Sequence, residues 1–272
     1  MASRRMPLWQ LLVQRGLSPT ERAARALVMA GQVLVADRTV DKPGIQVRED
    51  MAVRLRRVRP FASRGGEKLE FALRRFGVNV HGRVALDAGA STGGFTDCLL
   101  RQGAVRVYAV DVGFGQLLGR LRQDARVVNM ERTNLGDLHP GLLQPPPNLV
   151  TLDLSYLSLA AAWRSVQPLL AEGTDIVSLV KPLFEVQDSD ARRTGVVRGS
   201  SAYVEVLTRL IDHCNTIGWS PLGTAASPVR GSRGTIEFLL HARNVPAAGV
   251  RPDVHAAVTE AFISEGAVSP QE

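Results

Sequence analysis

The chain, 272 residues long, reads as an α/β protein: a Rossmann-like sheet preceded by a small α+β module. Three observations predict this. Short apolar runs alternate with helically spaced segments from Glu67 onward, the pattern of a parallel sheet covered by helices. One such run opens Leu86-Asp87-Ala88-Gly89-Ala90-Ser91-Thr92-Gly93-Gly94-Phe95-Thr96-Asp97, the strand, tight turn and helix start at which open sheets hold ligands. Charge, finally, is unevenly placed. Residues 1–64 carry 13 Arg and Lys against 5 Asp and Glu, a net +8, whereas residues 65–272 carry 20 against 21, a net −1. A basic module ahead of a neutral domain points to a polyanionic partner, most simply nucleic acid.

The elements follow in order. Leu8 to Leu17 has helical apolar spacing, and Gly16 is a stop signal. Ser18-Pro19-Thr20-Glu21 reads as a fresh N-cap with an acidic first turn, continued as a helix through Ala23–Met29 and ended by Gly31. Val33–Val35, Val40 and the stretch from Val47 to Leu55 read as short strands broken by Asp37-Arg38 and Pro43-Gly44. Val58-Arg59-Pro60-Phe61 reads as a linker. In the larger part, Leu69–Phe76 and the stretch after Phe95 are helical. Strands are expected at 84–87, 105–110 (with Asp111 at its end), 127–130, 149–153 and 175–180, then a helix from Ala202 to Ile217 and a final strand pair at 219–227 and 235–241.

Several classes are excluded. No apolar run approaches a membrane span, and Met1 to Pro7 contains no apolar core of a signal peptide. Cys98 and Cys214 stand alone, with no CxxC and no third ligand, as expected of reduced thiols in a cytoplasmic protein without a metal site.

What the sheet binds can be narrowed. Asp87 and Asp111 lie at strand ends 24 residues apart, and a second-strand acid in such sheets accepts hydrogen bonds from a ribose. That suits NAD and S-adenosylmethionine equally. The loop spacing D-x-G-x-x-x-G-G-F differs from G-x-G-x-x-G, so no pyrophosphate need be cradled. A basic module also has no use in a small-metabolite dehydrogenase. Asp153 then closes the fourth strand beside the reacting centre. Together these favour the methyl donor.

The lysines carry the next step. Of 33 basic residues only Lys42, Lys68 and Lys181 are lysine. Lysine is a compact charge whose proton can be lost when crowded, whereas arginine stays protonated. Lys181, after the fifth strand, shares an edge with Asp87, Asp111 and Asp153. Methylating a ribose hydroxyl requires removing or steering its proton, and a lysine beside a second cation can do this. Asp153 can orient Lys181 from one side and Glu237 from the other.

These residues carry a family resemblance. Arg64-Gly-Gly-Glu-Lys-Leu69, Leu86 to Thr96, Asp111-Val-Gly-Phe-Gly-Gln116, Glu131-Arg-Thr-Asn134, Asp153-Leu-Ser-Tyr156, Val180-Lys-Pro-Leu-Phe-Glu185 and Ile236-Glu-Phe238 are similar to the TlyA (hemolysin A) family. That family resembles FtsJ-type RNA methyltransferases behind a ribosomal-protein-S-four-type RNA-binding domain. The resemblance spans about residues 6–243. It implies an RNA-binding domain at 6–59, a linker at 60–63, a methyltransferase domain at 64–245 and a C-terminal tail or helix at 246–272. It implies S-adenosylmethionine-dependent 2′-O-methylation of cytidine in ribosomal RNA, with ribosomal subunits as partners, a monomer favoured, and neither membrane nor metal. Lys68, Asp153, Lys181 and Glu237 match its catalytic tetrad. Asp87, Gly89, Ser91, Thr92, Gly93, Gly94, Phe95, Asp111, Asn134 and Asp153 would bind the cofactor. Arg15, Arg22, Arg25, Arg38 and Arg64 would hold RNA. The chain departs from the family at Pro7-Leu8-Trp9, where Arg-Leu-Asp is expected, and at Arg59-Pro60-Phe61-Ala62. A catalytically silent RNA-binding or assembly factor is the alternative; a pore-forming reading has no support in the sequence.

Overall fold

Two apolar helix faces and a set of three-residue strands make the first of two units, residues 1–59, into which the computed structural model divides the chain; the second is residues 60–272. The described residues are 4–56, 60–246 and 251–266. In the first unit, β1 (Arg5–Pro7) leads directly into α1 (Leu8–Gln14), and α2 (Glu21–Met29) follows. Leu8, Leu11 and Leu12 of α1 and Ala24 and Val28 of α2 are buried in one cluster, as the spacing predicts. Thr20 caps α2, its Oγ1 accepting from Ala23 N at 3.2 Å. β2 (Val33–Val35) is buried along its length between β3 (Arg38–Val40) and β5 (Val53–Leu55), while β4 (Gln46–Arg48) pairs with β1. The sequence reading leaves out β1, which is only three residues long and has Pro at its end.

The second unit opens with α3 (Arg64–Phe76), which begins five residues before the apolar period at Leu69. Gly65 and Gly66 mask its first turn in the sequence, but Ser63 caps it by accepting from Gly65 N at 3.2 Å. Then come β6 (Val84–Ala88), α4 (Gly94–Arg101), β7 (Arg106–Asp111), α5 (Gly119–Arg122), β8 (Val127–Glu131), β9 (Leu149–Leu152) and α6 (Leu159–Val166). They are followed by β10 (Asp175–Val180), α7 (Pro182–Glu185), α8 (Ser189–Thr194), α9 (Ser200–Thr216), β11 (Ser220–Ala226), β12 (Phe238–Arg243) and α10 (Val254–Gly266). Residues 61–63, in the stretch read as a linker, pack into this unit. Phe61 is buried, and the Ala62 amide donates to Asp97 Oδ2 at 2.8 Å.

The seven strands form one sheet in the order β11-β12-β10-β9-β6-β7-β8. The five from β6 to β10 are parallel, whereas β12 runs antiparallel to both its neighbours. The expected parallel sheet is completed at one edge by the final strand pair, which enters with β12 antiparallel because β11 and β12 are joined as a hairpin rather than through a crossover helix. Side chains alternate between two apolar layers. Leu86, Val150 and Leu152 join Trp163 and Trp219 on one face, while Ala85, Val107 and Leu149 meet Leu69 and Leu99 on the other. At the start of β10, buried Asp175 accepts from Arg83, His241 and Arg243 at 2.6, 2.9 and 3.0 Å. Strand order reverses between β6 and β9, and the crevice beyond their carboxyl ends is where such sheets take ligands.

Candidate active site

The turn after β6 is shaped by close approach. Gly89 has φ +88°, and a Cβ there would lie 2.3 Å from the Asp153 carbonyl oxygen, so only glycine lets the end of β6 pass the end of β9 this closely. Beneath the turn, Asp87 is fully buried and accepts from Thr96 Oγ1 at 2.6 Å and Thr151 Oγ1 at 3.1 Å. Burial pushes its carboxyl up to about 7 despite those hydroxyls. Asp111 ends β7 and binds two turns, the one after β6 and the one after β7, accepting from Ser91 N at 2.8 Å and Gly113 N at 2.7 Å. Glu131, at the end of β8, receives the amides of Gln116 and Leu117 at 2.7 and 3.1 Å. The Leu117 amide and the Asn129 side chain lead the hydrogen bonds that bring its carboxyl down to about 2.

A second close approach places Lys68. A Cβ on Gly94, at the start of α4, would lie 2.1 Å from Ser63 Oγ and 3.1 Å from Gly66 N. The starts of α3 and α4 therefore abut, and Lys68 follows on the first turns of α3. Its ammonium pairs with the Glu237 carboxylate, and both side chains are more than nine-tenths buried. Burial raises the Glu237 carboxyl, and the Lys68 charge offsets part of that. Lys181, just past β10, lies 2.6 Å from Asp153 Oδ1 and donates to Ser155 Oγ at 2.8 Å. The two ion pairs share one cavity of about 760 Å³, walled on its apolar side by Phe184, Val196, Tyr203 and Phe262.

Lys68, Asp153, Lys181 and Glu237 thus come together from α3 and from the ends of β9, β10 and the β11–β12 connection. Glu237 sits just before β12 rather than within it. Gly89, Ser91, Thr92, Gly93 and Gly94 form the turn above Asp87, with Ser91 and Thr92 exposed. Phe95 is buried in the core beneath them. Asn134 is exposed and caps a short helical turn, its Oδ1 accepting from Gly136 N at 3.0 Å. The arginines differ among themselves. Arg15 holds the Glu49 and Met51 carbonyls. Arg25 pairs with Glu21 and lies 5.0 Å from the Trp9 ring centre. Arg22, Arg38 and Arg64 are exposed, and among the described residues they make no ion pair. Sequence reasoning missed Thr96, Thr151, Glu131 and Ser155. Of these only Glu131, an acid closing a third strand, carries a pattern that recurs at the other strand ends.

The residues fit S-adenosylmethionine. The turn keeps side chains off the strand ends, and the Asp111 carboxylate retains acceptor capacity after its two amide bonds. Residues 61–244 match the model of the FtsJ-like methyltransferase family. The chain belongs to that family. Residues 6–53 of this FtsJ-like chain match the S4 domain model. YqxC of Bacillus subtilis is 42% identical over 89% of this chain and 86% of its own. The 16S/23S rRNA (cytidine-2′-O)-methyltransferase TlyA of Mycobacterium tuberculosis is 39% identical over 92% of this chain and 96% of its own. A solved structure from Streptococcus thermophilus whose name carries the word hemolysin has a TM-score of 0.75 and 35% identity, covering 98% of both chains. Among the described residues no helix is long and apolar enough to cross a membrane, and no His, Cys, Asp and Glu group suits a metal ion.

Proposed function

We propose that this FtsJ-like protein methylates the ribose 2′-hydroxyl of a cytidine in ribosomal RNA. One observation carries the reading: two lysine–carboxylate pairs, Lys68 with Glu237 and Lys181 with Asp153, face one cavity beside the ends of β6 and β9. S-adenosylmethionine, held by Gly89, Ser91 to Gly94, Asp111 and Asp153, supplies a sulfonium methyl. Asp87 and Phe95 support the turn from below, and Asn134 fixes the chain beyond β8.

Lys181 contacts the target hydroxyl and accepts its proton as the oxygen becomes nucleophilic. Asp153 and Ser155 fix the direction of Nζ, which is the condition for an in-line attack. The Lys68–Glu237 pair lines the same cavity, where the Lys68 ammonium stabilises developing negative charge on the oxygen. The relatives named as cytidine-2′-O-methyltransferases support the choice of base and of ribosomal RNA. The S4 domain supports RNA as the polyanion that the basic first unit holds. The protein acts in the cytoplasm, on ribosomal RNA or the subunits that contain it.

The test is methyl transfer from labelled S-adenosylmethionine to purified ribosomal subunits, with the modified ribose mapped by mass spectrometry. Transfer to a cytidine 2′-oxygen is expected, and Lys181→Ala should abolish it while calorimetric cofactor binding persists. Transfer that is unchanged in Lys181→Ala removes that residue as the base. A parent protein that binds subunits but transfers no methyl makes it a silent RNA-binding factor instead.

A further inference from the structure

The turn connecting β11 to β12 contains a residue that the proposed chemistry leaves unused. Arg233 has φ +58° and ψ +24°, left-handed backbone for a residue with a full side chain. Such conformations cost energy and persist where the surroundings impose them, commonly at ligand sites. The turn is fixed by Gly231 N donating to Thr235 O at 2.9 Å and by Thr235 Oγ1 donating to Ser232 O at 3.2 Å. It also lies directly on the tetrad: a Cβ at Gly231 would fall 2.2 Å from Glu237 Oε1. Arg233 is therefore held at the rim of the cavity that Lys68, Asp153, Lys181 and Glu237 line.

Charge balance says what it faces. The charged residues lining the cavity are Lys68, Asp153, Lys181, Arg233 and Glu237. The two lysines are each engaged by a carboxylate. Arg233 is exposed and, among the described residues, makes no hydrogen bond or ion pair. Any ribose that presents its 2′-oxygen to Lys181 brings a 3′-phosphodiester with it, because the two oxygens sit on neighbouring carbons. That phosphate must enter beside two carboxylates and needs a cation of its own. A guanidinium supplies one with two parallel donors.

We infer that Arg233 binds the phosphodiester on the 3′ side of the target ribose and so sets its register over Lys181. The inference rests on the methyltransferase reading above and adds a substrate contact to it. Phosphate contacts of this kind position a nucleic acid without reading its sequence.

The experiment compares the parent with Arg233→Gly and Arg233→Lys, using ribosomal subunits and a synthetic RNA fragment spanning the mapped site. Glycine fits the left-handed backbone, so Arg233→Gly should melt no lower than the parent. Its kcat/KM for RNA should fall by about 10- to 100-fold, as expected when one charge-assisted hydrogen-bonding partner is removed, with cofactor affinity unchanged. Arg233→Lys should recover part of the loss. A methylphosphonate placed 3′ to the target should slow the parent and leave Arg233→Gly unaffected. Equal kcat/KM for Arg233→Gly and parent overturns the inference, as does an equal methylphosphonate penalty in both. Weakened cofactor binding in Arg233→Gly overturns it too, by moving the residue to the cofactor's side. A parent that methylates no RNA overturns the functional reading itself, which is a separate result.

Discussion

At the residue scale the site is governed by what burial does to charge. Lys68 and Glu237 are an ion pair more than nine-tenths buried, and removing one partner of such a pair leaves the other charged in a poor solvent. Lys68→Ala should therefore cost about 3–5 kcal/mol of stability, read by chemical denaturation. The double change Lys68→Met with Glu237→Leu should restore most of that stability yet transfer no methyl. An inactive double variant as unstable as the single one would mean that the pair is not what fails in Lys68→Ala. Asp87 gives a pH signature. Its carboxyl is raised from 3.8 to about 7 by burial, so the folded state holds its proton more tightly than the unfolded chain. Stability from this group is complete below the unfolded value and is lost as pH rises towards 7, a change of up to about 4 kcal/mol. Melting temperature should thus fall between pH 5 and pH 7.5 in the parent, and fall less in Asp87→Asn. Parallel profiles would show that Asp87 is not the titrating group. Asp175 behaves oppositely. Burial opposes its ionisation, but hydrogen bonds from His241, Arg83 and Arg243 outweigh it and hold the carboxyl well below the usual range, so its contribution is lost only in acid.

At the scale of elements, the site depends on two helix starts lying against each other. Gly94 opens α4 where a Cβ would meet Ser63 Oγ at 2.1 Å, and Ser63 caps the helix that carries Lys68. Gly94→Ala should cost about 1–3 kcal/mol by overpacking and lower kcat by shifting α3. Adding Ser63→Ala, which alone should cost about 1 kcal/mol through removal of the cap, should return part of both losses. Strictly additive losses in a double-mutant cycle would show that the two positions do not press on each other. This contact also marks how far the sequence could be read. The strand ends were legible because apolar runs stop on Asp87, Asp111 and Asp153, and the lysines stood out because arginine fills all 30 of the other Lys and Arg positions. The beginning of α3 was not, since Arg64-Gly65-Gly66 has no apolar period and its cap depends on Ser63. Thr96 and Thr151 were also hidden. Nothing local marks a hydroxyl that closes on a carboxylate: Thr151 reaches Asp87 only once β6 and β9 lie side by side, and Thr96 only once the chain turns back into α4. Arg233 was invisible for a related reason. Its importance lies in a backbone angle and in having no partner among the described residues, and neither is written in residue identity.

At the scale of the whole molecule, the basic surplus of residues 1–64 and the catalytic candidates of the second unit divide the work between holding and reacting. Counting arginines overstates the holding surface, because some of them already make contacts within the first unit. Arg15 binds the carbonyls of Glu49 and Met51, and Arg25 lies against Trp9 and Glu21. Arg22 and Arg38 are exposed and, among the described residues, without ion pairs, so their charge is available to phosphate. Removing one arginine–phosphate pairing should reduce the slope of log affinity against log salt by about 0.7–0.9. Arg22→Gln with Arg38→Gln should therefore flatten the salt dependence of subunit binding by about 1.4–1.8, leaving kcat at saturating RNA and the melting temperature near parental values. Arg15→Gln should do the reverse, lowering the melting temperature through the turn at Glu49–Met51 while changing the slope little. If the slope follows Arg15 instead, then the hydrogen bonds of Arg15 to the Glu49 and Met51 carbonyls yield to RNA on binding, and Arg22 and Arg38 are only a solvated surface.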